Sequence, residues 1–495
     1  MHSFDNRGSA GSAPPPSQGP PPSPVPASLV AYDFGLPPRA IERVLAVALD
    51  KGGEFAELFC EYRIGTWIFM EEEIIKKTAE NVSLGAGVRV LAGDKTGYAY
   101  TNDLSEGALC HAARTAAAIA TSAAAKRVVS LTESSPGRQV YDLNLTLTLL
   151  PLEMRLDLVR RAYEAATSYD RRISKVQVSF GDALRHVLIA NSEGLLVTDV
   201  RPQVRLAVSA LAEHNGTADL GFFTGGGRVG LAYFRDILPP EQIARTAAAE
   251  AIILLEAVPP PAGAQPVVLG GGQSGVMIHE AVGHPLEADG NRKGTSIMTG
   301  RLGTMVAAPQ VTVYDDPTIP HLRGSLSVDD EGTPTQRTML IDRGKLVGYL
   351  QDRLSARLLG MPLTGHGRRE SYQHYPIPRM TNTILAPGPH TPEEVIASVK
   401  KGFYAKSFRG GQVEDSGKFV FSVNLGYLIE NGRLTRPVKN AALIGTNVQV
   451  LKSIAMVAND MGYFLGTCGK EGQSAAVTSG TPTFRIDSIT VGGRK

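Results

Sequence analysis

The stretch Val267-Val-Leu-Gly270-Gly-Gly-Gln-Ser274-Gly-Val-Met-Ile-His279-Glu280-Ala-Val-Gly283-His284-Pro285 runs from an apolar segment through glycines into a pair of histidines. The apolar residues read as a strand, Gly270–Gly272 as a tight turn, and Ser274 as a helix N-cap. In the familiar zinc-peptidase helix the histidines are four residues apart, so both imidazoles leave one face. Here they are five apart. At about 100° per residue, i+5 falls roughly 140° from i, against about 40° for i+4. An undistorted helix cannot aim both rings at one ion. Gly283 is a weak helical position, and Pro285 disfavours α geometry at His284. The helix is therefore expected to end near Gly283, with His284 swinging back from an irregular or widened final turn. Glu280 then faces the open side of the ion, placed to take a proton from the attacking water and pass it to a leaving amine.

A zinc site that keeps one position open needs a third protein ligand. The candidates are Cys468 in Thr467-Cys-Gly-Lys-Glu-Gly-Gln, His374 in Tyr372-Gln-His-Tyr, and His366 in Thr364-Gly-His-Gly. Cys468 is preferred, because its glycine-rich context reads as a mobile loop and not as an apolar core stripe. Cys60 and Cys110 read as packing residues. Glu287 and Asp289 are either ligands or solvated loop acids, and the second reading is preferred. The chain has ten histidines, so this pattern taken alone is also compatible with chance. Gly270–Gly272 lacks the lysine of a phosphate-binding loop, which argues against a nucleotide site.

Outward from this segment, Val258-Pro-Pro-Pro-Ala-Gly-Ala-Gln is the clearest linker in the chain. Four domain-level units are expected: a disordered Pro/Gly/Ser-rich tail at 1–28, an N-terminal α+β region at 29–257, the linker at 258–265, and a C-terminal domain at 266–495. The N-terminal region has a candidate internal break near 130–145. In it, Pro38–Asp50, Leu104–Ala125, Pro151–Tyr169 and Pro240–Leu255 read as helices. Phe55–Lys77 reads as extended chain, Leu84–Tyr100 as a hairpin, and Ser174–Phe180, His186–Ala190, Leu195–Val200 and Gln203–Glu213 as strands. The C-terminal half is strand-dominated, with a hairpin signal at Asn431-Gly432. The fold class is α+β, an antiparallel sheet with helices followed by a strand-rich domain bearing the chemistry.

Composition sets the outer limits. Fifty basic against 48 acidic residues, with no basic run, give no nucleic-acid footprint. The longest apolar runs, near Ala116–Ala125 and Ala248–Val258, are too short to cross a bilayer. Three scattered cysteines fit a reducing compartment, and the N-terminus lacks the apolar core of a secretory signal, so a soluble, cytoplasmic protein is expected.

Several motifs together resemble one family. His279-Glu-Ala-Val-Gly-His-Pro-Leu-Glu-Ala-Asp, Asp329-Asp-Glu-Gly-Thr-Pro-Thr-Gln, Gly367-Arg-Arg-Glu-Ser, Pro378-Arg-Met-Thr-Asn and Cys468-Gly-Lys-Glu-Gly-Gln are similar to the TldD/PmbA (TldD/TldE) zinc metallopeptidases. The likeness runs from about Pro38 to Gly493. It is strongest to the TldD type, since the TldE/PmbA partner typically lacks the metal motif. The resemblance implies zinc held by His279, His284 and Cys468, with Glu280 catalytic. It implies a heterodimer with a TldE/PmbA-like paralogue, a homodimer being the alternative, and unfolded or modified peptides taken as extended chains. Sheet edges in the C-terminal half would suit that mode. Arg368, Arg369 and Arg379 are read either as substrate-backbone or oxyanion contacts or as a structural ion-pair network. Two rival functions remain open at this stage: zinc amidohydrolysis of a small molecule, and a non-enzymatic peptide-binding module with structural zinc.

Overall fold

The computed structural model describes residues 32–121, 126–141, 150–414 and 416–493. The tail at 1–28 and part of the break near 130–145 lie outside them. Seven strands build the N-terminal sheet: β1 Phe55–Glu71, β2 Ile74–Ala92, β3 Lys95–Thr101, β4 Thr132–Ser134, β5 Ile173–Asn191, β6 Leu195–His214 and β7 Thr217–Gly227. Their order is β3-β2-β1-β5-β6-β4, with β7 also beside β6.

Period-2 alternation divides the labour of this sheet. Leu58, Cys60 and Ile68 of β1 point to one face. There the helices Pro38–Leu49 and Glu106–Ile119 cover one end, and Leu152–Thr167 and Pro240–Leu255 the other. Burial on this face pushes the Cys60 thiol up to about 12, and Cys110 packs against the same cluster. Both are packing cysteines, as their sequence context suggests. Phe59 points the other way, onto Val328 and Tyr372 of the C-terminal half.

The long strands differ from the expected elements. Phe55–Lys77 is not one extended segment. It turns at Glu72-Glu73, both with positive φ (52° and 61°), and no glycine, asparagine or proline marks the place. β5 and β6 each run unbroken where two strands were expected. Pro202 lies inside β6 between its pairings with β4 and β7, where β6 has β5 as its one neighbour, so the missing N–H disrupts no second ladder.

Beyond the prolines, Gly263–Leu269 lies between Lys401–Val413 and Phe484–Gly493. Lys418–Glu430 and Arg433–Thr446 continue from the former, and Arg433–Thr446 pairs back onto Phe484–Gly493, so five strands close on themselves. The expected hairpin turn is present at Asn431 and Gly432, at φ 52° and 75°. A second sheet ends in the hairpin Gln473–Thr481 and Gly462–Lys470, the latter its edge strand. The architecture is thus α+β, with helices on one face of the first sheet and a strand-dominated half on the other. No helix among the described residues is long and apolar enough to cross a membrane.

The acidic turn Asp329-Asp330-Glu331 clasps the halves together. Glu331 pairs with Arg89 of β2 at 2.5 Å, and Asp330 with Arg201 of β6. Arg369 crosses in the opposite sense to Glu57 of β1. Breaking such a buried pair typically costs about 3–5 kcal/mol, because the other charge is stranded.

Candidate metal centre

From Gly263–Leu269 the chain turns at Gly270–Gly272, Gly272 taking φ 90°, and enters a short α-helical turn, Gly275–Ile278. Ser274 precedes that turn as expected, but its hydroxyl donates back to the Gly270 carbonyl at 2.5 Å and does not cap the helix. The next residues, His279–Gly283, widen into a π turn in which the His284 N–H donates to the His279 carbonyl. An i→i−5 hydrogen bond stacks residue i+5 over residue i, much as an α turn stacks i+4. The five-residue spacing therefore fits a single ion. The two rings lie 5.1 Å apart, crossing at 80°.

The expected mechanism of return needs correction in one respect. Helical geometry does not end at Gly283, and His284 remains helical (φ −57°, ψ −45°) despite Pro285. The π turn realigns the rings, and Pro285, which has no N–H to continue the ladder, lies within a tighter 3-10 turn, His284–Leu286. A Cβ on Gly283 would lie 1.8 Å from the sulfur of buried Met380. Glycine there is a matter of close approach, not of helix weakness.

Cys468 does not sit in a loop. It lies on the edge strand Gly462–Lys470, opposite Ala475, and is 4% exposed. Its sulfur approaches His284 Nε2 at 3.2 Å, and the donor atoms of His279, His284 and Cys468 all lie within 4.8 Å of one another. No other group of three metal-ligating side chains is so placed among the described residues. His366 is fully buried between Asp315 and Thr364, and His374 bonds to Ser371, so neither joins the cluster. Burial opposes ionisation of Cys468, but hydrogen bonds from His279 and His284 and their charges draw the thiol down to about 5. Buried His279 Nδ1 has no hydrogen-bond partner among the described residues. A thiolate with two imidazoles, one nitrogen left unsatisfied, is a donor set that fits zinc.

Glu287 is buried at 3% exposure and Asp289 at 6%, so neither is the solvated loop acid preferred from sequence. Glu287 Oε2 faces His284 Nδ1 at 3.0 Å, so Nδ1 carries a proton for that carboxylate and the ring is oriented with Nε2 toward Cys468. Burial would raise Glu287, but His284, Lys470 and Arg379 hold its carboxyl down at about 2. Lys470 bridges Glu287 and Asp289 at 3.2 and 2.6 Å. Sequence marks none of this, apart from the i+3 position of Glu287 relative to His284. Glu287→Gln should lower zinc affinity about 10–100-fold, measured by competition with a chelating dye. An unchanged affinity would show that the carboxylate does not orient His284.

Glu280 is half-buried, and its carboxylate accepts no hydrogen bond among the described residues. Burial raises its pKa, with His279 and His284 pulling it back. Arg379 Nη2 donates to the Cys468 carbonyl at 2.6 Å, and Arg368 Nη2 to the Ala476 carbonyl at 2.8 Å. Both guanidiniums thus brace the hairpin that carries Cys468, while Arg369 spends its donors on Glu57 and the Asp330 carbonyl.

Comparison with known proteins identifies the family. Residues 262–493 match the PmbA/TldA metallopeptidase C-terminal domain, 146–255 the central domain, and 56–120 domain 1. A Haemophilus influenzae protein named "Metalloprotease TldD homolog" is 43% identical over 455 residues, 89% of this chain and 93% of the relative. The chain belongs to the PmbA/TldD metallopeptidase family. A Saccharolobus solfataricus family member named "Zinc metalloprotease TldD homolog" is 32% identical over 53% of this chain and 59% of its own. Among solved structures, TldE from Thermococcus kodakarensis shares the fold at a TM-score of 0.73 and 19% identity, over 92% of this chain and 100% of that one.

Proposed function

We propose that this chain is a zinc-dependent peptidase in which His279, His284 and Cys468 hold the metal and Glu280 is the general base. The observation that carries the reading is the convergence of three donors of the right chemistry, with a carboxylate beside them that has no hydrogen-bond partner among the described residues. Zinc held by these residues would supply Lewis acidity, polarising a scissile carbonyl and acidifying water. Glu280 would then accept a proton from the attacking water and deliver it to the departing amine. Glu287 orients the His284 ring for ligation, and Arg379 holds the Cys468 strand in place. A site with three donors and, among the described residues, no fourth Cys or His in the group leaves a coordination position free, which favours catalysis over a closed structural site.

The substrate is proposed to be an unfolded or modified peptide bound in extended form, the edge strand Gly462–Lys470 offering backbone groups to it. The likeness to TldE supports a paired assembly with a TldE/PmbA-like subunit, and a cytoplasmic location is proposed with it. Hydrolysis of unstructured peptides by the purified chain, alone and with such a subunit, is expected to stop on chelation and return with stoichiometric zinc. Activity that persists in the chelated protein would sink the reading.

A further inference from the structure

The helix-free face of the N-terminal sheet carries arginines in cross-strand register, Arg63 opposite Arg185 and Arg185 opposite Arg201. Like charges so placed destabilise a sheet unless neutralised. Glu61 neutralises Arg185 at 2.8 Å and Asp199 neutralises Arg201 at 2.7 Å. Arg205 shares their face, four residues along β6. Arg228 follows directly on β7, and its N–H donates to the His321 carbonyl at 3.1 Å, which brings Arg323 of the C-terminal half to the same place.

Among the described residues these last guanidiniums form no ion pair, although Asp199, already paired with Arg201, acts on Arg228 at longer range. Arg205 Nε donates to Thr224 Oγ1 at 3.1 Å. Arg323 donates to the Gly466 carbonyl at 3.0 Å and to Thr467 Oγ1 at 3.3 Å, and it also faces the Gln203 carboxamide. Buried Arg228 Nε has no hydrogen-bond partner among the described residues. Arg228 and Arg323 are 5% and 8% exposed, whereas Arg205 is half-buried and Arg63 exposed, so the charges lead from the surface inward. Burial, with repulsion from the neighbouring arginines, brings Arg323 down to about 9, and burial brings Arg228 to about 10. Buried charges without counter-charges are costly to keep. An anion would convert that cost into strong charge-assisted, forked hydrogen bonds.

The place of the cluster says which anion. Gly466 and Thr467, held by Arg323, lie two residues and one residue before Cys468 on the edge strand. Two residues of strand span about 7 Å. A peptide following that edge past the metal donors would run by the guanidiniums.

We propose that Arg205, Arg228 and Arg323, with Arg63 at the entrance, form a carboxylate-binding subsite beside the candidate zinc centre, which takes the C-terminal carboxylate or an acidic side chain of the bound peptide. The choice of a peptide rests on the peptidase reading above. The test uses the full chain with zinc, carrying Glu280→Gln to prevent turnover. It is titrated with a fluorescent peptide of neutral residues in three forms: free acid, C-terminal amide, and amide with one internal glutamate. At least one acidic form should bind ten-fold or more tightly than the neutral amide, and which one does so identifies the source of the carboxylate. Arg228→Met should remove that margin without lowering the thermal midpoint, because an unpaired buried charge is lost. Arg205→Gln, at a half-buried position, should reduce it as well. Equal affinity for the three forms, no binding of any, or a margin that survives both substitutions overturns the subsite. Cleavage of the neutral amide by the unsubstituted chain with zinc tests the peptidase reading independently.

Discussion

Replacing Glu280 with glutamine is expected to leave zinc bound and to lower peptide hydrolysis about 10²–10⁴-fold, the usual worth of a positioned acid–base group. The substitution is nearly isosteric and touches none of the three donors, so metal content measured by mass spectrometry should match that of the unsubstituted chain. The carboxylate has no partner among the described residues to hold it in a purely structural role, and burial raises its affinity for a proton. A group in that state is suited to receive a proton from water and to release it to a leaving amine. The loss should appear in kcat and kcat/KM alike, since the proton transfer is made in the transition state. Normal cleavage by Glu280→Gln would refute the proposed base.

Cys468→Ala is expected to lose both zinc and activity. The thiolate is one of three donors, and its removal leaves two imidazoles that on their own form a much poorer zinc site. Its neighbours draw the Cys468 thiol down to about 5, so the thiolate form is favoured at neutral pH. Against the effect of burial, Glu287 and Cys468 raise His284 to about 11, so a metal entering the site displaces a proton from that imidazole. Zinc content after dialysis should fall from roughly one per chain, the expected loading of a single site, to near zero. Cys60→Ala serves as the comparison. Its thiol, pushed up to about 12 in the helix-facing core, should be irrelevant to metal content even where stability suffers. Equal zinc in Cys468→Ala and the unsubstituted chain would remove Cys468 from the site.

The two predictions rest on unequal amounts of sequence information. His279, Glu280 and His284 are local, and their spacing alone required a departure from α geometry at the point where the π turn occurs. Cys468 could be ranked above His366 and His374 by context, yet the context was misread. The glycines around it belong to a strand and its turn, where Glu471 and Gly472 take positive φ. Glu287 and Asp289 show the limit most clearly. An acid two or four residues after a proline reads as solvated, and only Lys470 and Arg379, brought in from distant segments, make its burial tolerable. Arg368, Arg369 and Arg379 were legible as a motif, but whether they face substrate or structure depended on which carbonyls and carboxylates fold around them.

By itself, then, the sequence determined the α+β class, the family motifs, the packing roles of Cys60 and Cys110, and the need for an irregular turn between two histidines. Those features follow from periodicity, composition and spacing, which act within a few residues. The tertiary structure decided how the five-residue interval is closed, by a π turn pressed against Met380, and which distant side chains complete and orient the donor set. It also decided that arginines from two sheet strands and a C-terminal loop meet beside Cys468. Such juxtapositions are set by long-range packing, where burial and pairing fix the energy of a charge, and no local pattern in the chain records them.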